Sequence, residues 1–124
     1  MPLPKQKAYT IEDIYALPDG ERAELIDGQI YYMAPPTRTH QRIVTELTTI
    51  INEYIKKKDG ECEVNVSPFA VFLDSLKDED KNYVEPDISV ICDKDKLDDK
   101  GCHGSPDWVI EVVSPSSRKL DYGR

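Results

Sequence analysis

Two acidic residues occupy positions where a short buried strand would normally carry an apolar side chain. Asp87 begins the apolar run that continues to Ile91, and Glu111 lies inside the apolar run of residues 108–113. An ionised carboxylate beside buried strands must be paired, hydrogen-bonded or bound to a metal, because otherwise its pKa rises and it becomes neutral. Two such acids on neighbouring strands predict a site for a hard cation of the Mg²⁺ type, built from carboxylate oxygens and water.

The composition limits the classes of protein to consider. The chain has 124 residues, which predicts a flexible N-terminal tail at residues 1–8 and a single domain at residues 9–124. The net charge of −8 at pH 7 argues against nucleic-acid binding mainly through neutralised phosphates, since that mode depends on clustered Lys and Arg. A local basic face remains compatible with this charge.

The cysteines and the hydropathy predict a cytoplasmic protein. Cys62, Cys92 and Cys102 include no CxxC pair and leave an odd cysteine over, which argues against a disulfide framework or a zinc ribbon and favours a reducing cytosol. The N-terminus lacks the apolar core of a signal peptide, and no run of about 18 apolar residues could span a membrane. We therefore expect a soluble chain without membrane association.

The first half of the chain must supply elements that hold these acids. A capping box at Thr10 predicts a short N-terminal helix, which residues 18–20 end. Asp27 and Gly28 separate two strand-like runs and predict a hairpin turn. Apolar residues then recur at helical spacing from Gln41 to about Lys58, which predicts a long amphipathic helix packed on a sheet.

The second half is predicted to supply the strands. Residues 62–73 predict a strand with an edge or a bulge at Pro68, and residues 83–91 and 106–115 predict the two strands with the acids. The charged segments 74–82 and 93–104 predict loops, the second of which contains the adjacent Cys102 and His103. The order of elements predicts an α/β fold in which a mixed β-sheet packs against one long amphipathic helix, with a short N-terminal helix.

Four blocks of this sequence resemble the Uma-type putative restriction endonuclease family of the PD-(D/E)XK nuclease superfamily. They are residues 24–28 (ELIDG), residues 33–36 (MAPP) followed by residues 40–41 (HQ), residues 85–87 (EPD), and residues 106–116 (PDWVIEVVSPS). The resemblance runs from about Tyr9 to the last residue. It implies a restriction-endonuclease-like core that lacks the closing helix and strand of the family.

The resemblance also implies an activity, that of a metal-dependent endonuclease that hydrolyses DNA phosphodiester bonds with Mg²⁺ or Mn²⁺. By this likeness Asp87 would bridge the metal ions, Glu111 would be the second acidic ligand, and the carbonyl of Val112 would complete the inner shell. Glu24 would reach the metal directly or through water. DNA is therefore the expected partner.

Other residues are expected to bind the substrate phosphate and to supply a positive charge to the site. His40 and Gln41 lie at the start of the long helix, where backbone N–H groups favour a phosphate. The superfamily lysine should follow the second acid by two residues, but Val113 occupies that position. Lys119, or Arg118 beside it, would have to supply the positive charge.

Three functions of different classes remain open. The first is the metal-dependent endonuclease, and the second is a degenerate nuclease-fold protein that binds nucleic acid or a protein partner without cutting. The third is a structural or interaction domain whose acids pair with basic residues such as Arg22, Arg42 or Lys119. Convergence of Glu24 and the two strand acids on an open cleft without a basic residue would favour the first two. An uncovered sheet edge would also favour a homodimer.

Overall fold

The computed structural model describes residues 8–75 and 81–113. Within these ranges the chain forms two α-helices and nine short strands, which confirms the predicted α/β class. The elements are α1 Ile11–Tyr15, β1 Ala23–Ile26, β2 Gln29–Tyr32, α2 Arg38–Lys57, β3 Glu63–Val66, β4 Val71–Phe72, β5 Tyr83–Val84, β6 Ile88–Ile91, β7 Leu97–Asp98, β8 Gly101–His103 and β9 Trp108–Ile110.

The N-terminal helix and hairpin form as their turn residues predict. The backbone N–H of Thr10 donates to Asp13 Oδ2 at 2.9 Å, so the first turn of α1 is capped. Asp27 and Gly28 both have positive φ, 49° and 77°, as a tight two-residue hairpin turn requires, and β1 pairs antiparallel with β2. Ile14 then packs on β1 in a core cluster whose other buried members are Ala23, Leu25, Phe72 and Tyr83.

The predicted sheet is divided into two. In the described residues, one six-stranded sheet has the order β2-β1-β5-β4-β8-β7, and a three-stranded antiparallel sheet has the order β3-β6-β9. The segments 62–73 and 83–91, each expected to be a single strand, are therefore two strands each, one in each sheet. Pro68 and Pro86 lie at the two breaks, and because proline has no N–H to donate to a ladder, the chain leaves one sheet there and enters the other.

The long helix is confirmed, but it buries less of its apolar surface than predicted. It begins at Arg38, three residues before the expected start, because the side chain of Thr37 accepts from the N–H of His40 and caps it. The helix packs on β3 and buries Val44. Ile50 and Tyr54, which belong to the predicted apolar stripe, are each 63% exposed.

The segment 93–104 is not the simple charged loop that was expected. It contains a short 3-10 turn, Lys94–Lys96, and the β7–β8 hairpin, whose strand β8 pairs parallel with β4. Gly101 has a φ of +142°, and a Cβ atom there would overlap the carbonyl oxygen of Ala70. The N–H of Cys102 donates to that same oxygen at 2.9 Å. The charged side chains around the turn are typical of a loop, so the sequence pattern does not predict the pairing of β8 with β4.

The sequence argues against a disulfide framework, and the structure corrects this for one pair of cysteines. Cys62 and Cys92 are joined by a disulfide, and Cys102 is a free, buried thiol. The antiparallel register of β3 and β6 pairs Glu63 with Ile91, so the cysteines just beyond this pair meet at the same end of the sheet. A count of cysteines contains no information on that register. No helix in the described parts of the chain is long and apolar enough to cross a membrane.

Candidate active site

The two strand acids lie side by side, as the sequence predicts. β6 and β9 are antiparallel neighbours in which Ile88 pairs with Ile110, so Asp87 directly precedes one strand and Glu111 directly follows the other. The N–H of Asp87 donates to Glu111 Oε1 at 3.3 Å, and the N–H of Val112 donates to Asp87 Oδ2 at 2.7 Å. The end of the three-stranded sheet thus presents two carboxylates in one place.

The electrostatics of this pair disfavour two negative charges. Burial of part of the side chain raises the pKa of Glu111 to about 7, and the charge of Asp87 and, more weakly, of Glu24 adds to the shift. The N–H of Asp87 and the nearby His40 act in the opposite direction without cancelling it. Like charges held this close make it costly to ionise both carboxylates. A cation bound between them would remove that cost.

His40 approaches the pair from the first turn of α2. Its Nε2 lies 3.1 Å from Asp87 Oδ2, and its Nδ1 lies 2.9 Å from Gln41 Oε1. Burial opposes protonation of the ring and is the largest influence on its pKa, but the hydrogen bonds to Gln41 and Asp87 and the charges of Asp87 and Glu111 together raise the pKa above its ordinary value. With an oxygen facing each ring nitrogen, both can donate only when the imidazole is protonated.

Glu24 reaches the same region from β1. Its Oε2 accepts the N–H of Glu85 at 2.8 Å, and together with Glu111 it lines an open cleft of about 560 Å³. A third acid, Asp107, also lines this cleft, and among the described residues no Lys, Arg or His does. The cleft walls are largely apolar, from Val71, Leu73, Val84, Pro86 and Val109. A second cavity, of about 250 Å³, lies between α2 and the strand end and is lined by Gln41 and Asp87.

A partly buried hydrogen-bond network around Glu85, which the sequence did not predict, lies beside the site. Arg22 donates through Nε to Glu85 Oε1 at 3.0 Å, and its Nη2 contacts the same oxygen and Ser67 Oγ. The hydroxyl of Tyr83 donates to the other oxygen of Glu85 at 2.9 Å. Burial and this carboxylate raise the pKa of the phenol. Only the antiparallel pairing of β1 with β5 brings Arg22 near Glu85, and no local pattern announces it.

The basic residues proposed as partners of the site acids are therefore engaged elsewhere, where the structure describes them. Arg22 pairs with Glu85, and Arg42 pairs with Glu46 on the surface of α2 at 3.3 Å. Lys119 and Arg118 lie outside the described residues. The acid pair at the strand end thus has no guanidinium or ammonium partner in residues 8–75 and 81–113, which counts against the structural-domain hypothesis.

The donor set of the pair suits a hard, hydrated cation. In the described ranges no group of three or more His, Cys, Asp or Glu residues is placed to hold a metal ion, so protein side chains would supply two carboxylates only. Mg²⁺ retains several waters and is commonly bound through one or two carboxylates. The hydrogen bonds to Asp87 fall on Oδ2, and Oδ1 accepts none from the described residues. The structure shows the N–H of Val112 at the site, and the role of its carbonyl stays a prediction.

Comparison with known proteins agrees with this architecture. The model of the Uma2 family, described as "Putative restriction endonuclease", matches residues 11–124. The uncharacterized protein slr1290 of Synechocystis sp. is 32% identical over 103 residues, which are 83% of this chain and 51% of that protein. This chain therefore spans about half the length of that curated relative.

A solved structure has the same fold. It is described as a putative nuclease belonging to DUF820 from Anabaena variabilis, and it superposes with a TM-score of 0.65 at 23% identity. The match covers 90% of this chain and 63% of that chain. At this identity the likeness establishes the fold alone.

Proposed function

Because this chain belongs to the Uma2 family, whose model matches residues 11–124, we propose that it is a metal-dependent endonuclease that hydrolyses DNA phosphodiester bonds with Mg²⁺ or Mn²⁺. The observation that carries the proposal is the pairing of Asp87 with Glu111 at adjacent strand ends. The two carboxylates lie close enough for the N–H of one residue to donate to the other, and neither has a Lys or Arg partner in the described residues. Such a pair is favourable when a divalent cation neutralises it.

Each site residue would have a distinct task. Asp87 and Glu111 would bind the cation, and the N–H of Val112 would fix the Asp87 carboxylate through its bond to Oδ2. A bound Mg²⁺ or Mn²⁺ would lower the pKa of a coordinated water and offset charge on the phosphate. Glu24, held through its bond to the N–H of Glu85, would act on the same water shell from its place in the lining of the cleft.

The substrate phosphate would approach from the side of α2. Both ring nitrogens of His40 already face oxygens, so this residue would orient Asp87 and add positive charge near it. Gln41 keeps its amide NH₂ for a phosphate oxygen, and it lines the smaller cavity together with Asp87. Lys119 is the residue that would supply the positive charge which Val113 does not provide.

A calorimetric titration with Mg²⁺ and Mn²⁺ tests the metal site. The parent chain should show a saturable heat, and both Asp87→Asn and Glu111→Gln should lose it while their circular dichroism stays unchanged. Glu46→Gln is the matched control, because it removes an exposed carboxylate of α2 and should bind as the parent does. In a plasmid-nicking assay the two site variants should lose more than about 100-fold in rate, beyond the loss typical of outer-shell partners.

The titration also has results that would overturn the proposal. Unchanged heats in both site variants would mean that the carboxylates are not the ligands. Metal binding without any nicking would favour a second candidate function, a nuclease-fold protein that binds nucleic acid or a protein partner without cleavage. The presence of Val113 at the position of the superfamily lysine is the observation that favours this second candidate.

A further inference from the structure

The larger cleft beside the acid pair has an unusual combination of walls. Its volume is about 560 Å³, within the range of pockets that hold small organic ligands, and Leu73, Val84 and Val109 supply apolar surface. Three acids, Glu24, Asp107 and Glu111, line the same space, and no basic side chain of the described residues does. By the side chains that the structure describes, the cleft disfavours phosphate and other anions and suits a flat apolar group that carries N–H donors.

Two of these carboxylates are already fixed in position. Asp107 Oδ2 accepts the N–H of Cys92 at 2.6 Å, and Glu24 Oε2 accepts the N–H of Glu85 at 2.8 Å. In each case the second carboxylate oxygen accepts no hydrogen bond from the described residues. Side chains alternate along a strand, so Val109 and Glu111 lie on the same face of the chain at β9, an apolar surface next to an acceptor. The cleft thus has preorganised acceptors beside an apolar wall.

We propose that this cleft binds an unstacked nucleobase with an exocyclic amino group, next to the phosphodiester that the acid pair would cleave. The inference rests on the proposed function and narrows its substrate class. A base can enter a side cleft only after it leaves the stack, so the substrate would be single-stranded or locally unpaired DNA. Carboxylates accept from the amino group of cytosine, whereas thymine presents a carbonyl at the same position. Cytosine should therefore bind better than thymine.

Free nucleosides test the cleft without involving metal or cleavage. Deoxycytidine and thymidine carry no phosphate, so their binding does not depend on the acid pair holding a cation. In ¹H–¹⁵N spectra of the full chain, deoxycytidine should shift the amide signals of Leu73, Val84 and Val109 saturably. It should bind roughly ten-fold more tightly than thymidine, as expected for one discriminating contact.

Substitutions inside and outside the cleft test whether the deoxycytidine shifts arise from binding in the cleft. Val109→Phe should fill the cleft and abolish the deoxycytidine shifts, and because Val109 is 45% exposed the fold should tolerate the change. Ile50→Phe is the matched control, since Ile50 is 63% exposed on α2, outside the cleft lining, and should leave the shifts as they are. Asp107→Asn should reduce the preference for deoxycytidine over thymidine by several-fold.

Several outcomes would overturn the inference. Absent or scattered shifts at saturating nucleoside would do so, as would equal binding of the two nucleosides. Tighter binding of spermidine than of deoxycytidine would assign the cleft to a cationic ligand instead. The nucleoside results are separate from cleavage, so a cleft that binds deoxycytidine in a chain that cuts neither plasmid nor single-stranded DNA would refute the nuclease and retain the base site.

Discussion

Glu85 and Asp87 are two residues apart, and the fold treats them in opposite ways. Glu85 is 9% exposed and receives hydrogen bonds from Arg22 and Tyr83, so its charge is matched by a guanidinium and a phenol. Asp87 lies beside another acid, Glu111. Among the described residues, the group beside it that can carry a positive charge is the imidazole of His40.

The difference separates an acid that holds the chain from an acid that is available for chemistry. A buried acid with a full set of hydrogen-bond partners serves to hold the fold. An acid in a cleft whose pKa is raised by burial and by a neighbouring acid marks a candidate ligand site. Glu85 binds Arg22, which directly precedes β1, and so ties the segment between β5 and β6 to that strand two residues before Asp87. Substitutions at both acids should therefore have different effects.

Removal of Glu85 should give the largest loss of stability. Glu85→Ala leaves the Arg22 guanidinium and the Tyr83 hydroxyl without their acceptor, and we expect the free energy of unfolding to fall by about 3 kcal/mol in urea denaturation. Glu46→Ala is the control, because it breaks an exposed pair with Arg42 and should cost less than about 0.5 kcal/mol. Similar losses in the two variants would contradict the structural role of Glu85.

A smaller effect should appear at Glu111 as a dependence of stability on pH. The pKa of this group is raised to about 7 in the folded chain, so its contribution to stability is fully present below its ordinary pKa near 4.5 and is lost as the pH rises through 7. Without metal, Glu111→Gln should therefore become more stable than the parent between pH 5 and pH 8, by about 1 kcal/mol after allowance for the exposed part of the side chain.

Thermal unfolding at several pH values measures this difference. Addition of Mg²⁺ at pH 8 should stabilise the parent and leave Glu111→Gln unchanged, because only the parent keeps both carboxylates. If the difference in melting temperature between the parent and Glu111→Gln stays constant from pH 5 to pH 8, the repulsion between Asp87 and Glu111 does not affect stability.

The smallest effect should be spectroscopic, at His40. Its pKa lies above the ordinary value because the bonds to Gln41 and Asp87 and the nearby acids outweigh burial. An NMR titration of the ring protons should show this pKa falling in Asp87→Asn, with no requirement for a change in stability. Arg42→Gln is the control on the same helix, and it should leave the titration of His40 unchanged. If the pKa of His40 is the same in the parent and in Asp87→Asn, His40 does not interact with the site acid.

Local patterns in the sequence were sufficient for the acid pair and the elements around it. Asp87 and Glu111 stand out because each interrupts an apolar run, and the periodicity of α2 and the Asp27–Gly28 turn depend on residues close together in the chain. These features follow from propensity and spacing alone. The family resemblance, which the family model confirms over residues 11–124, added the roles that are expected of the two acids.

Features set by the pairing of distant strands could not be predicted in this way. The Arg22–Glu85 pair depends on β1 lying beside β5, and the Cys62–Cys92 disulfide depends on the register of β3 against β6. The division into two sheets depends on what each half of a proline-broken run pairs with. A one-residue change of register would alter every such contact, and local patterns in one sequence do not show which distant strands pair or in which register.

Gly101 has a consequence for how this chain tolerates mutation. It takes no part in the acid pair, yet any side chain there would collide with the backbone of Ala70 and push β8 away from β4. In a saturation screen for folded protein, this position should accept glycine only, whereas the exposed positions of the same turn should accept many residues. A glycine with no role in chemistry would then be among the least replaceable residues of the domain.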